Sequence, residues 1–208
     1  MNLENDGERM DINYYKIDYN NLDVYQKSHY KRYVYAKSLI QKDEYVADMA
    51  CGTGYGSMML SENCKKVDGF DIDEITIDEI KKRYEAQSNV CFYSKNLLDI
   101  NEYNKYDCIV SFETIEHFTP EEIKKLIKTF HYALKDKGRL IFSTPYDQQQ
   151  CINSMKYHRT FKIKEEHIKK ITNELFDINS FMYQNYDNHD LESNLPYKHF
   201  IICVATKK

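Results

Sequence analysis

The chain has no tryptophan, three prolines among 208 residues, and no Cys-x-x-Cys pair. Without that cysteine spacing, a zinc knuckle or a dithiol redox site is not expected. The six cysteines read instead as reduced thiols of a cytoplasmic protein, with Cys91, Cys108 and Cys203 buried inside apolar strand-like runs. Long hydrophobic runs are missing too. The longest, 200–205, has six residues, whereas a bilayer-spanning helix needs about 20. There is no excess of basic charge: the net charge is -4, which lacks the footprint of a dedicated nucleic-acid binder. No repeat, low-complexity tract or Gly/Ser-rich linker interrupts the chain, and no secretory or transit signal can be read in residues 1–11. The 19 tyrosines and the Lys, Asn and Ile richness read as composition bias and carry no functional meaning.

With 42% hydrophobic residues, the chain can bury a core. Its length suits a single domain, organised as an N-terminal arm and helix (1–40) that closes the active site, and a core of residues 41–208. Short apolar runs at 45–50, 66–71, 90–93, 106–112 and 139–144 predict strands. Helices are predicted at 55–62, 75–86 and 120–134, with another inside 161–175. Thr119 is the expected N-cap of the 120–134 helix, Pro120 opens it, and Gly138 is expected near its end. Two last strands, 178–183 and 199–206, have no helix between them and predict a hairpin with a long connection. The pattern is that of an α/β fold: a Rossmann-like, doubly wound, mainly parallel seven-stranded sheet, its last strand antiparallel, with helices on both faces. Ligands of such sheets bind beyond the carboxyl ends of the strands.

The first strand runs into V-A-D-M-A-C-G-T-G-Y-G-S at 46–57. Its glycines permit a tight turn and close backbone approach to a ligand at a helix start. The second strand ends in G-F-D-I-D, with Asp71 19 residues after Gly52. That spacing suits a loop wrapping one end of a nucleoside and a carboxylate receiving its ribose hydroxyls. A dinucleotide loop would read GxGxxG; this one reads GxGxG.

The loop resembles the first motif of class I S-adenosylmethionine-dependent methyltransferases. The resemblance continues through Y-D-C-I-V-S-F-E-T-I-E-H-F (106–118) and L-K-D-K-G-R-L-I-F-S-T-P-Y (134–146). G-E-R-M (7–10) and H-Y-K-R-Y (29–33) are similar to a lead-in found in a bacterial subset linked to glycan modification. The resemblance implies S-adenosylmethionine as cofactor. Asp48 and the stretch Ala50, Cys51, Gly52, Thr53 and Gly54 would hold its methionine part. Asp71 would bind the ribose, Ile72 would pack on the adenine, and Asn96 and Leu97 would border it. Ser111 and Phe112 would lie near the methyl group, and Arg32 and Tyr33 would close the site.

Methyl transfer to a hydroxyl needs alignment, exclusion of water and removal of a proton, for which a base or a metal helps. Glu113, Glu116 and His117 stand at i, i+3, i+4, which on a helical turn is one face. His158, in K-Y-H-R-T-F, is positioned to meet them across a cleft. His117 or His158 as general base, with Glu113 beside them, is one expectation. The other is a Mg²⁺ or Mn²⁺ ion held by Glu113, Glu116, His117 and His158, a set that resembles the metal site of small-RNA 3′-terminal 2′-O-methyltransferases. The E-x-x-E-H run is also similar to that of ubiquinone-pathway O-methyltransferases.

The expected acceptor is a small sugar-like molecule, a nucleotide sugar or a glycan precursor, methylated on oxygen. The alternatives are an amino-sugar nitrogen, an RNA 3′ end, a nicotinamide-dependent oxidoreductase and a non-catalytic partner subunit. Nucleic acid and membrane are not expected partners, and a homodimer is compatible with the sequence.

Overall fold

A computed structural model describes residues 10–149 and 157–208. Cys151 and residues 7–9 lie outside them. Seven strands form one sheet: β1 (Tyr45–Met49), β2 (Lys66–Asp71), β3 (Val90–Ser94), β4 (Tyr106–Phe112), β5 (Leu134–Pro145), β6 (Phe176–Gln184) and β7 (Phe200–Lys207). Their order is β3-β2-β1-β4-β5-β7-β6. The pairings among β1 to β5 are parallel, and β7 runs antiparallel to both β5 and β6. The expected fold class is therefore observed. The chain winds outward from β1 to β3, then returns to β4 on the other side of β1, which makes the carboxyl ends of β1 and β4 the switch point.

Helices α1 (Val24–Ser38), α2 (Tyr55–Ser61) and α3 (Glu74–Arg83) cover one face, and α4 (Pro120–Ala133) and α5 (Glu165–Thr172) the other. In α4, Ile123, Leu126, Ile127, Phe130 and Ala133 make one buried stripe at helical spacing. Thr119 and Glu122 close a capping box at its start, with Pro120 in the first turn. The arm is part of the same core, since Ile12, Tyr33, Ala36 and Ile40 pack with Met58, Leu60 and Val110. Among the described residues no helix is long and apolar enough to cross a membrane.

The helix expected inside 161–175 is present as Glu165–Thr172. Two sequence expectations are corrected in detail. Gly138 does not end α4: the chain passes directly from Ala133 into β5, and the left-handed residue of the following irregularity is Lys137, at φ 61°. A side chain on Gly138 would instead meet the Lys135 carbonyl oxygen at 2.8 Å. Cys108 and Cys203 are buried as expected, but Cys91 is only half-buried, because the outer strand β3 leaves one face partly open.

Candidate active site

A cleft of about 830 Å³ opens at the carboxyl ends of β1, β2 and β4. The backbone is bent into left-handed conformations around it. Ala50 (φ 67°) follows β1, Glu113 (φ 49°) follows β4 and Asp147 (φ 49°) lies just past β5. Non-glycine residues in this region store strain and cluster at functional sites.

The loop after β1 forms the first wall. Gly52 is left-handed at φ 52°, and its N–H donates to Asp71 Oδ2 at 2.9 Å. Asp71 Oδ1 accepts from the Asp73 N–H at 3.0 Å, so the carboxylate braces both loops. Ala50, Cys51, Gly52 and Asp71 line the cleft. Burial, with Asp48 and Asp71 nearby, pushes the Cys51 thiol well above its usual pKa, so it is a protonated wall group and not a nucleophile. Ile72, Asn96 and Leu97 continue this wall. Ile72 is 69% exposed there, an apolar side chain lacking a cover within the chain. Asn96 Oδ1 already accepts from the Leu98 N–H at 3.0 Å.

Asp48, Thr53, Gly54, Tyr33 and Ser111 do not line the cleft. Asp48 is fully buried beneath the loop, accepting from Tyr33 O–H at 3.0 Å and Ser57 O–H at 2.6 Å. Thr53 donates to the Met10 carbonyl at 2.9 Å, and the Ser111 hydroxyl is enclosed within β4 without a partner. These residues support the loop from behind.

Burial raises the Asp48 pKa from 3.8 to about 6, opposed by the Ser57 and Tyr33 hydrogen bonds. A raised folded-state pKa means the stability linked to the protonated form is complete below about pH 4. It is lost as pH rises through about 6. The ionised form is thus carried at pH 7 at a cost on the order of 2–3 kcal/mol. Urea denaturation should therefore show the stability of Asp48→Asn rising relative to the parent chain between pH 4 and 7. A difference independent of pH would contradict this account.

The opposite wall comes from β4 and the segment after β5. Glu116 is 1% exposed and accepts from Thr144 O–H at 3.0 Å. Burial and the neighbouring Glu113 push its carboxyl well above the ordinary range. The His117 and His158 rings meet edge to face, their centroids 4.9 Å apart. His158 Nδ1 donates to Gln148 Oε1 at 2.9 Å, which leaves Nε2 with the ring's lone pair. Burial and His117 lower its pKa to about 4, so the ring is neutral at pH 7. One ligand atom each from Glu116, His117 and His158 lies within 4.8 Å of the others.

Glu113 does not join that group, which corrects the four-residue cluster expected from its spacing. Its left-handed backbone turns the side chain toward Ser143, whose O–H donates to Oε1 at 2.6 Å, and toward Arg32 Nη1 at 3.8 Å. Arg32 is buried in the cleft wall. It also donates to Gln184 Oε1 at 3.1 Å and stacks 4.3 Å from the centroid of Phe200, while its Nε has no partner.

His29 lines the cleft and was not expected there. Its Nδ1 hydrogen-bonds the Tyr55 hydroxyl, and burial with Arg32 nearby pushes its pKa well below 6.5. The signal was available: His29 stands four residues after Tyr25 and three before Arg32, the spacing of one helix face, and all three line the cleft.

The family described as "Methyltransferase domain" matches residues 46–138. The chain is 30% identical over 105 residues to the ubiquinone biosynthesis O-methyltransferase of Coxiella burnetii, covering 50% of this chain and 44% of that protein. It therefore spans less than half the length of that relative. Its fold is similar to an S-adenosylmethionine-dependent methyltransferase from Clostridium acetobutylicum (TM-score 0.68, 15% identity, 90% of this chain and 93% of that one). It is also similar to the N-methyltransferase NodS from Bradyrhizobium japonicum in complex with S-adenosyl-L-homocysteine (TM-score 0.69, 15% identity, 90% and 89%).

Proposed function

We propose that this chain, by its domain and its fold a class I S-adenosylmethionine-dependent methyltransferase, methylates oxygen on a small hydroxylated acceptor, with sugars and glycan precursors as the first class to test. The observation that carries the reading is the juxtaposition in one cleft of the Gly52–Asp71 cradle with the Glu116, His117 and His158 group. The residues present suit the cofactor. Ile72 offers an apolar face for its adenine, Asp71 a carboxylate for its ribose, and the unpartnered Arg32 Nε–H a donor for its carboxylate. Bound there, the cofactor supplies an electrophilic methyl group on a sulfonium. The chain's own residues orient the acceptor, exclude water, and receive the hydroxyl proton at the neutral His158 Nε2. The NodS neighbour is an N-methyltransferase by name, so an amino-sugar nitrogen is the alternative accepting atom.

A second reading of the cleft adds a divalent cation, Mg²⁺ or Mn²⁺, favoured by the 4.8 Å grouping of Glu116, His117 and His158. Those three would hold it, and the ion would make an acceptor hydroxyl more acidic.

Calorimetric titration tests the cofactor assignment. S-Adenosylhomocysteine should bind saturably, and Asp71→Ala should weaken it about 10- to 100-fold, through loss of charge-assisted hydrogen bonds and of the brace on Gly52. Failure of the parent chain to bind would overturn the assignment.

A further inference from the structure

A second cleft, of about 960 Å³, adjoins the first along the segment after β5 and the connection from β6 to β7. Tyr25, Pro145, Gln148, Tyr186 and Phe200 line both. From the cofactor cleft outward, one row of rings forms a stepped shelf, each ring tilted or edge-on to the next. Tyr25 meets Tyr186 at 5.3 Å between centroids, Tyr186 meets His199 at 4.4 Å, and His199 meets Tyr197 at 4.9 Å. Tyr25 is 56% and Tyr197 64% exposed, so both ends of the row are open to solvent.

The charges around the shelf are distinctive. Among the described residues, three cationic side chains line the two clefts: Arg32, Arg159 and Lys198. Each faces a carboxylate: Arg32 faces Glu113 at 3.8 Å, Arg159 faces Glu122 at 2.8 Å, and Lys198 faces Glu165 at 3.4 Å. Lys198 is further held 3.6 Å from the Tyr183 ring centroid. Asp71 and Glu116 add carboxyl groups to the same walls. In the second cleft Lys198 is the one cationic side chain among the described lining residues, so a phosphorylated or carboxylated ligand there would have to displace Glu165 from it or sit against Asp147.

Hydrogen-bonding groups border the rings. His199 Nδ1 accepts from the Tyr186 N–H at 3.2 Å, which leaves Nε2–H as a donor. Gln148 and Tyr146 line the same cleft, with the Tyr146 hydroxyl donating to Glu165 Oε2 at 3.1 Å and Gln148 Oε1 accepting from His158 Nδ1 at 2.9 Å. Aromatic rings open to water at both ends of the row, with polar groups beside them, match a ligand that has apolar C–H faces and a hydroxylated edge.

We infer that the shelf Tyr25–Tyr186–His199–Tyr197 is the acceptor subsite, and that the acceptor it takes is a sugar ring bearing no phosphate or carboxylate, either uncharged or carrying an amine. This rests on the methyltransferase reading above and narrows it away from nucleotide sugars and RNA ends. An ammonium group is compatible because aromatic faces attract cations.

The test uses the full chain saturated with S-adenosylhomocysteine, with binding of five probes followed by saturation-transfer NMR and calorimetry. The probes are methyl β-D-glucopyranoside, D-glucosamine, D-glucose 6-phosphate, UDP-glucose and catechol. The first two should bind at least about tenfold more tightly than the two phosphorylated sugars and catechol. Tyr197→Ala, at an exposed position, should weaken them about three- to tenfold. Preference for a phosphorylated sugar or for catechol overturns the proposal, as does sugar binding indifferent to Tyr197→Ala. If S-adenosylhomocysteine binds and no sugar does, the subsite is wrong and the methyltransferase reading stands. If S-adenosylhomocysteine itself fails to bind, both fall.

Discussion

His158→Ala is expected to lower kcat about 10²- to 10⁴-fold, the range for loss of a general base, with S-adenosylhomocysteine affinity unchanged. A base acting on a hydroxyl must be unprotonated at working pH; burial beside His117 lowers the His158 pKa to about 4, which keeps the ring neutral but makes it a weaker base, so the lower end of that range is expected. It must present a lone pair, and the Nδ1–H bond to Gln148 at 2.9 Å leaves that pair on Nε2. It must also lie at the acceptor end of the cleft. Gln148 lines both cavities, so the bond that orients His158 stands where cofactor and acceptor would meet. Stopped assays with radiolabelled cofactor and a sugar acceptor measure the effect, and unchanged kcat in the variant would remove His158 from the chemistry. Titration of Mn²⁺ into the saturated parent separates the two readings of the same residues. Saturable binding that disappears in both His158→Ala and Glu116→Ala supports a cation. Absence of binding leaves His158 as a base alone.

The strand and helix order was legible because each element carries its own local pattern: apolar strand runs, the buried stripe of α4, and the Thr119 cap. The cradle was legible because a glycine turn and an acid 19 residues on must meet if both strands are parallel neighbours, as β1 and β2 are. The Glu113 error has a specific origin. The i, i+3, i+4 rule assumes helical backbone across the whole stretch, but the helical turn begins only at Ile115, and Glu113 at φ 49° precedes it. Two residues of non-helical chain were enough to send its carboxylate to Arg32 and Ser143. The left-handed residue at Lys137 in place of Gly138 was hidden for a similar reason, since it depends on how β5 first pairs with β4. The aromatic shelf had no local signal at all. Tyr25 and Tyr186 are separated by most of the chain, and only the return of β6 and β7 beside α1 brings them together. Of the residues expected to touch the cofactor, Asp48 and Tyr33 lie behind the loop, where the Asp48 carboxylate accepts from the Tyr33 and Ser57 hydroxyls.

Gly56→Ala should be among the most destabilising substitutions of a small side chain, by roughly 3 kcal/mol or more in urea denaturation. The sequence groups Gly56 with the turn glycines, but it lies within α2, and its need for glycine is a matter of space. An added Cβ would stand 2.0 Å from Tyr33 Cζ and 2.3 Å from Cε1. Tyr33 has no room to retreat. It is buried and hydrogen-bonded to Asp48 at 3.0 Å, with edge contacts to Phe112 at 5.0 Å, His29 at 5.3 Å and Tyr55 at 5.6 Å. The methyl group must therefore either lift α2 from α1 or expel the ring, and expulsion removes one of the two hydroxyls that hold the buried Asp48 carboxylate. Tyr33→Ala is itself destabilising, but it empties the space the methyl needs. The two substitutions should be strongly non-additive, with Gly56→Ala costing at least about 2 kcal/mol less in the Tyr33→Ala background. Additive effects would mean that the close approach of α1 and α2 is not what demands glycine at position 56. A favourable coupling would show that the cofactor loop is held from behind by the fit of one tyrosine ring against one glycine.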